Sequence, residues 1–444
     1  MDKRRSGFTL VELLITVAII GIMAAMVVFA MFGAQEAAKQ RKTEALITRI
    51  DAILKYKWES YRTRRVNITA PADMQPQDSA RVRLDALHDL IRLEMPDRWS
   101  DVYDPPKPWG YQYRNTSGAN VTVAGLQIPR PAASVAFERT YNANMTRSGA
   151  PTPEVARTYQ GAECLYMILR SQIQEDGDDI SIILKPENTG DKDNDGFPEI
   201  LDAWGTPINF IRWAPGFISE LQVAANGTIS SDQPDPPKPT PPTNPPTAIF
   251  DALVDYGTNN VPYGEVISRG LSTTDSAYVG GAIIMLNPST RVPEFDKMAR
   301  ITGYQYFPLQ TSPSFRPGFA RFTVATRKDS AMQPFTPGGG GTSGAFIVLP
   351  PDPFDPRHVY PVYPNTASIV NPDLSVPTFD LYPLVFSAGA DKSSGIVGDS
   401  PTPLRYSTEN VNPFFRPTNY KMLGYQESDG TWKDNIHNHM MGLR

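Results

Sequence analysis

The sequence predicts an α+β protein in which a long amino-terminal helix packs on a head domain with an antiparallel β-sheet and a large loop-rich insertion. Three observations lead to this prediction. Residues 8–32 form an apolar run of 25 residues with a single charge. Residues 33–65 contain no proline and repeat apolar side chains every three or four positions, as an amphipathic helix does. The whole chain has 43 prolines in 444 residues, about twice the usual frequency of roughly 5%, which favours loops and short strands.

The apolar run is long enough to span a membrane. At a rise of about 1.5 Å per residue it makes roughly 37 Å of helix, which crosses a bilayer with some tilt. The basic residues Lys3, Arg4 and Arg5 precede it and predict a cytoplasmic amino end, with the bulk of the chain exported. A secretory signal peptide also begins with basic residues, but this run is too long, carries Glu12, and has no small-x-small cleavage site close behind it.

The segment that follows continues the same helix in amphipathic form. Its apolar positions fall on one stripe and are Leu46, Ile50, Ile53, Leu54, Trp58 and Tyr61. Together the two halves predict one helix over residues 8–65, of which 8–32 span the membrane and the rest packs against an exported head at 66–444.

Composition and motifs exclude several function classes. A net charge of −5 and a pI near 5.6 provide no basic surface for a nucleic acid. Cys164 is the single cysteine, so no intrachain disulfide forms, and we predict that it is a small buried residue in a helix. The Gly-Asp-Ser triplet at 398–400 is followed by Pro401 and has no histidine nearby, and no glycine-rich phosphate loop is present. We therefore do not expect an enzyme.

The head is predicted to be rich in short elements. Periodicity predicts helices over 85–95 and 159–173, and β-rich runs predict six strands, at 180–184, 207–213, 282–286, 320–326, 345–349 and 382–387. Residues 233–246 contain eight prolines in fourteen positions and predict an extended spacer. With a glycine tract at 338–341, this spacer places a loop-rich insertion at 214–378.

The opening sequence GFTLVELLITVAIIGI, which begins at Gly7, resembles the processing site and helix of type IV pilins and type II secretion pseudopilins. The resemblance implies that a prepilin peptidase cuts between Gly7 and Phe8, removes the leader 1–7 and methylates the new amino terminus. It also implies that Glu12 pairs with the amino-terminal charge of a neighbouring subunit during filament assembly. An acid in mid-membrane costs on the order of 3 kcal/mol, and a buried ammonium partner offsets part of that cost.

Two features qualify the resemblance. Thr9 and Glu12 also match a capping box at the start of a helix, which is a local alternative for the acid. Many relatives carry a proline near position 22 of the mature helix, where this chain has Phe29. The sequence therefore does not support a helix melting that depends on that proline.

An acidic loop predicts a calcium site. Acids occupy loop positions 1, 3, 5, 9 and 12 of an EF-hand spacing, with glycine at position 6, and they are Asp191, Asp193, Asp195, Glu199 and Asp202. Pro198 and the short side chain of Asp202 depart from a true EF-hand, and the flanks are not long helices. We expect calcium to hold the loop in place of the absent disulfides. The alternative is an ordinary solvated acidic turn.

Three later segments resemble the major type II secretion pseudopilin, and they are DAWGTP at 202–207, YPLVFSAGAD at 382–391 and KDNIHN at 433–438. In that family the last two belong to a calcium-binding loop, so the resemblance makes Asp391 and Asp434 candidates for a second calcium site. The Trp-Gly pair at 109–110 is an alternative match, so the register of the correspondence stays open.

These resemblances imply a structural pseudopilin, anchored by a single pass in the inner membrane with its head in the periplasm. Its implied partners are its own copies, other pseudopilins, a prepilin peptidase and an inner-membrane assembly platform, in a filament of a type II secretion-like machine. A type IV pilin or minor pilin for adhesion, motility or DNA uptake is the first alternative. A single-span enzyme or binding protein that uses the same leader is an alternative of another class.

Overall fold

A computed structural model describes most of the chain outside the predicted insertion. It covers residues 10–153, 155–172, 183–214, 352–355, 381–398 and 430–440, the shorter pieces 217, 219, 423–424 and 426, and six strands between 225 and 349. The predicted spacer at 233–246 and the processing residues Gly7 and Phe8 lie outside the described residues.

The amino-terminal helix is continuous, as predicted. Helix α1 spans Leu10–Ser60, and a 3₁₀ turn at Tyr61–Thr63 ends it. Its first half is exposed on all sides, whereas Ile47, Ile50 and Leu54 in its second half are buried against the head. In the described part of the chain it is the one helix long and apolar enough to cross a membrane, with a mean hydropathy of 2.8 in its most apolar window. The α+β class with a long amino-terminal helix is therefore confirmed.

Four further α-helices are described in the head, and they are α2 Pro76–Glu94, α3 Trp99–Tyr103, α4 Ala132–Met145 and α5 Gln160–Gln172. Helix α5 matches the predicted span 159–173. Helix α2 begins well before the predicted start at residue 85, because Pro76 occupies the first turn, where its missing N–H costs no hydrogen bond.

A three-stranded antiparallel sheet joins distant parts of the chain. Its strands are β5 Asn209–Ile211, β12 Leu384–Ser387 and β13 Ile436–His437, with β12 in the centre. Phe386 is opposite Asn209 on one side and His437 on the other. Helix α1 packs against β12 and β13. The strands predicted at 207–213 and 382–387 are thus present in shorter form.

Two small hairpins complete the described head. Strands β1 Trp109–Arg114 and β2 Asn120–Leu126 form one, and β3 Thr189–Gly190 and β4 Glu199–Ile200 form the other. The strand predicted at 180–184 is wrong in its described part, because Ile183 and Leu184 lie in a helical turn rather than a strand. Ile183 is fully buried there, so its apolar character reflects core packing.

The predicted insertion 214–378 contains a six-stranded antiparallel sheet of order β6-β11-β8-β9-β10-β7. Its strands are β6 Ala225–Thr228, β7 Gly264–Ser268, β8 Ala282–Leu286, β9 Pro293–Phe307, β10 Phe319–Ala325 and β11 Ala345–Leu349. The predicted strands at 282–286, 320–326 and 345–349 are confirmed. The three others were not predicted, so the insertion is more regular than its prolines and glycines indicated.

One hydrophobic core holds the head on the second half of α1. Ile50 of α1, Ile91 of α2, Ile168 of α5 and Val385 of β12 are all fully buried in it. Cys164 is also fully buried, as predicted, and burial raises the pKa of its thiol. The core thus positions the exposed half of α1 and the acidic loop beside α5.

Candidate functional site

The exposed half of α1 is a continuous apolar surface. Large apolar side chains from Leu10 to Phe32 are each at least half exposed, and Phe29 is the most exposed at 83%. A helix that is apolar on every face is stable only inside lipid or among other apolar helices. Glu12 lies in its first turn and is its one charged residue before Glu36.

The second half of α1 is fastened to the head by polar contacts at three levels of one helix face. The indole N–H of Trp204 donates to Glu36 Oε2 (2.8 Å), and the backbone N–H of Ala203 donates to Thr43 Oγ1 (3.2 Å). Further along, Asp51 Oδ1 accepts hydrogen bonds from Asn438 Nδ2 (2.6 Å) and from the Tyr382 hydroxyl (3.0 Å). Burial raises the pKa of Asp51, and these two donors oppose that effect. The head is therefore joined to the second half of α1 by hydrogen bonds as well as by the core.

The segments at 202–207, 382–391 and 433–438 meet at this junction. The Ser387 hydroxyl donates to Asp202 Oδ2 (2.6 Å), and β12 pairs with β13. The backbone N–H of Asp391 donates to Asp434 Oδ2 (3.1 Å). Segments that lie far apart in the sequence thus form one unit against α1.

The two candidates for a second calcium site, Asp391 and Asp434, are neighbours in this unit. Asp391 Oδ1 accepts the backbone N–H of Ser393 (2.7 Å), and both acids are exposed. Among the described residues they join no third acidic, histidine or cysteine side chain in a metal-sized group. The second site stays a prediction.

Four of the five predicted calcium ligands lie close together, three in the loop between β3 and β4 and Glu199 as the first residue of β4. Ligand atoms of Asp191, Asp193 and Asp195 lie within 4.8 Å of one another, and Asp193 and Glu199 belong to a second group of the same size. Internal hydrogen bonds curl this loop. The carboxylate of Asp191 accepts the N–H groups of Asp195 (3.0 Å) and Gly196 (2.9 Å), and Glu199 Oε2 accepts the Lys192 N–H (3.0 Å).

Gly196 is required by this geometry. Its φ is +90°, and a Cβ there would collide with the Arg147 guanidinium, which donates to the backbone oxygen of Asp195 (2.6 Å). The glycine at loop position 6 therefore has a steric reason.

Asp202, the fifth predicted ligand, is used differently. Its Oδ1 accepts the backbone N–H groups of Trp204 (2.8 Å) and Thr206 (2.9 Å), and its Oδ2 accepts the Ser387 hydroxyl. These bonds shape the turn that carries Trp204 to α1. Asp202 belongs to none of the metal-sized groups in the described chain, so the structure does not place it at the twelfth position of a calcium loop.

A further acid that was not among the predicted ligands lies beside the loop. Glu163, in the first turn of α5, is 1% exposed and groups with Asp193 and Glu199 within 4.8 Å. Burial, followed by the charges of Asp195, Asp193 and Glu199, raises its pKa to about 10. The Trp99 side chain acts in the opposite direction and lowers this pKa. Its indole N–H, however, donates to the backbone oxygen of Ala156 rather than to Glu163. Helix α5 is buried on most of its faces. An acid within such a helix is the sequence signal that could have identified Glu163.

The loop acids are perturbed in the same direction. Burial raises the pKa of Glu199 to about 8 and that of Asp195 to about 6, and in both cases neighbouring acids add to the effect. The pKa of Asp193 is also raised, mainly by burial. Carboxylates crowded in this way strongly favour a cation among them. An all-oxygen set of this kind suits a hard divalent cation such as calcium rather than zinc.

Comparison with known proteins bears on the amino terminus. A family model described as a prokaryotic N-terminal methylation motif matches residues 2–28. No curated protein and no solved structure matches the chain. The amino-terminal segment is therefore a type IV pilin-like leader, a substrate for prepilin peptidase, joined to one apolar helix compatible with a single-pass inner-membrane anchor.

Proposed function

We propose that this chain is a structural pseudopilin. After cleavage behind Gly7 and methylation of Phe8, α1 leaves the bilayer and packs with other copies of α1 into a filament. The head is on the periplasmic side, and the filament serves a type II secretion-like machine through a membrane assembly platform and other pseudopilins. The role is mechanical rather than catalytic. The observation that carries this proposal is the exposed apolar half of α1, with one acid in its first turn, most of which lies within the methylation motif.

The energetics favour assembly over a permanent stay in lipid. Covering an exposed Leu, Ile, Val, Met or Phe side chain contributes about 1.5–3 kcal/mol, and lipid or other helices supply that contribution equally well. Glu12 distinguishes the two environments, because an acid in lipid costs on the order of 3 kcal/mol at mid-membrane depth. In a filament the methylated amino group of the next subunit offsets this cost.

The contacts between α1 and the head support a mechanical role. The helix is continuous to Ser60. Glu36 and Thr43 both bond the turn that carries Trp204, and Asp51 bonds the separate segment of Asn438. A displacement of the helices in a filament core is therefore transmitted to the heads.

The pseudopilin branch is supported by the junction beside α1. The three segments that resemble the major pseudopilin lie more than 170 residues apart at their widest gap, yet they form one unit around β12. A chance resemblance in three separate places has no reason to converge on one structural unit.

The test of assembly uses the full-length chain expressed with a prepilin peptidase. Processing shortens the chain by seven residues, and we expect Glu12→Gln to be inserted and processed normally but to form no filaments. Thr16→Val, one turn further along α1, is the matched control and keeps its filaments. An uncleaved wild-type chain, or normal filaments from Glu12→Gln, contradicts the proposal.

Deletion of the gene in its native host separates the two branches. A pseudopilin role predicts that folded export substrates accumulate in the periplasm and that surface pili are unaffected. Loss of surface pili with normal secretion assigns the chain to the pilins instead. If the processed wild-type chain stays monomeric in the membrane, the alternative of a single-span enzyme or binding protein replaces both.

A further inference from the structure

The region around Glu163 contains buried acids whose oxygens have no hydrogen-bond donors. Six carboxylate oxygens are buried without a partner, and they are both oxygens of Glu163, both of Asp193, Asp195 Oδ2 and Glu199 Oε1. Native proteins satisfy nearly all buried polar atoms, so six such oxygens in one place require an explanation. We call Glu163, Asp191, Asp193, Asp195 and Glu199 the acidic cluster.

The described part of the chain offers these oxygens little counter-charge. Among the described residues, no lysine or arginine side chain forms an ion pair with any member of the acidic cluster. Arg147 is the nearby basic group, but it donates to the backbone oxygen of Asp195. Burying unpaired carboxylates is costly, and the cost is removed by protonation or by a cation.

We propose that the acidic cluster is a calcium site shared between helix α5 and the loop 191–199, with Glu163 as a ligand from the helix. Glu163 belongs to helix α5 rather than to the loop, and its ligand atom lies within 4.8 Å of those of Asp193 and Glu199. The site is therefore not an EF-hand, whose ligands all come from one twelve-residue loop.

The ligand chemistry selects calcium among divalent cations. Calcium takes six to eight oxygens in flexible geometry, and the acidic cluster has six carboxylate oxygens without a hydrogen-bond partner. Magnesium keeps several of its waters, which a ligand as deeply buried as Glu163 disfavours. Neither metal-sized group in the described residues contains a histidine or cysteine, so zinc and other softer ions are not favoured.

Calcium in this position links two parts of the fold that carry other contacts. Phe197, between the loop acids, packs on Trp99 (ring centroids 4.5 Å apart) and stacks on Tyr141 (6.0 Å). Just beyond Glu199, the turn of Asp202 carries Trp204 to α1. The cation thus stabilises α5, the aromatic cluster and the junction with α1 together, which replaces the disulfide that a single cysteine cannot form.

The experiment measures calcium binding to the full-length protein in detergent micelles after treatment with EGTA. Calorimetric titration with CaCl₂ gives the affinity, and thermal unfolding is followed with EGTA and with saturating calcium. We expect calcium to raise the melting temperature of the wild type. Glu163→Gln keeps the shape of the side chain and is expected to bind calcium at least tenfold more weakly.

Two control variants separate this site from the alternatives. Glu187→Gln removes an exposed acid just before the loop and leaves binding unchanged. Asp202→Asn also retains calcium affinity, whereas in an EF-hand it would lose it. In EGTA, Glu163→Gln melts at or above the wild-type temperature, because a partnerless buried acid has been replaced by a neutral amide. In saturating calcium the order is reversed.

Several results overturn the proposal. A wild type that shows neither binding heat nor a change in melting temperature with calcium rules out the site, as does an unchanged affinity in Glu163→Gln. If that variant fails to fold, Asp193→Asn on the half-exposed loop replaces it, and unchanged affinity there has the same meaning. Equal affinity for magnesium overturns the choice of calcium.

Discussion

Arg212 is the centre of a buried ionic network that joins β5 to the segment after α2. The side chain is 1% exposed, and its Nη1 donates to Asp101 Oδ2 (2.8 Å) and to the backbone oxygen of Met95 (2.8 Å). Its Nη2 lies 3.5 Å from Asp97 Oδ1, and its guanidinium carbon lies 4.3 Å from the centroid of the Trp213 ring. Burial raises the pKa of Asp97, but the charges of Arg212 and Arg98 outweigh burial and lower it to about 2. We predict that Arg212→Met is strongly destabilising.

The magnitude follows from what the substitution leaves behind. Methionine fills much of the space but leaves two buried carboxylates and the Met95 carbonyl oxygen with fewer donors. Removing one partner of a buried ion pair costs about 3–5 kcal/mol of unfolding free energy, because the remaining charge is uncompensated. At about 2–4 °C per kcal/mol for a domain of 150–250 residues, this lowers the melting temperature of the head by roughly 10 °C.

The assay is thermal and urea unfolding of the full chain in detergent, with Lys39→Met as control. Lys39 also pairs with an acid, Glu36 (2.9 Å), but both side chains of that pair are about half exposed. An exposed pair of this kind contributes about 0–1 kcal/mol. A double variant that adds Asp101→Asn to Arg212→Met recovers part of the loss, since Asp97 keeps Arg98 (3.2 Å) and Arg92 keeps Asp89 (2.8 Å) as charged partners. If Arg212→Met costs no more than Lys39→Met, the reasoning about the network is refuted.

Two further predictions concern α1 and the carboxyl-terminal segment. Ile50→Ala on the buried half of α1 lowers the unfolding free energy of the head by about 2–5 kcal/mol in a urea titration. Ile20→Ala on the exposed half leaves it unchanged in the same titration. Equal effects would contradict the division of the helix into an exposed and a buried half. Burial lowers the pKa of His437 to about 4 and that of His439 to about 3, from an ordinary value near 6.5. Folding therefore favours the neutral forms of both histidines, and the stability they provide is fully present above pH 6.5. It is lost as the pH falls from 6.5 towards 4. Between pH 7 and pH 5 the loss is about 2 kcal/mol per histidine. Unfolding measured across that range is expected to show a shallower pH slope for His439→Gln, and an identical slope would refute the assignment.

The described head also shows why some elements escape a reading of the sequence. Strand β9, Pro293–Phe307, contains Asp296, Lys297, Arg300 and Gly303, which are poor strand formers. It is nevertheless paired with β8 on one side and β10 on the other. Ladder hydrogen bonds from two neighbours override local propensity, and neighbours are not visible in a local window. Helix α5 is predictable from the sequence because its apolar periodicity lies within a single stretch of thirteen residues.

Local sequence pattern is sufficient for the features that depend on neighbouring residues. The methylation motif, the apolar run with Glu12, the stripe on the second half of α1 and the burial of Cys164 all follow from local pattern, because helical period and the hydrophobic effect act along one segment. Tertiary structure alone decided which distant groups meet. It assembled β5, β12 and β13 beside α1, committed Asp202 to the turn at Trp204, and brought Glu163 of α5 to the acidic loop. A carboxylate's surroundings are set by whatever the fold packs against it, and those residues lie elsewhere in the chain.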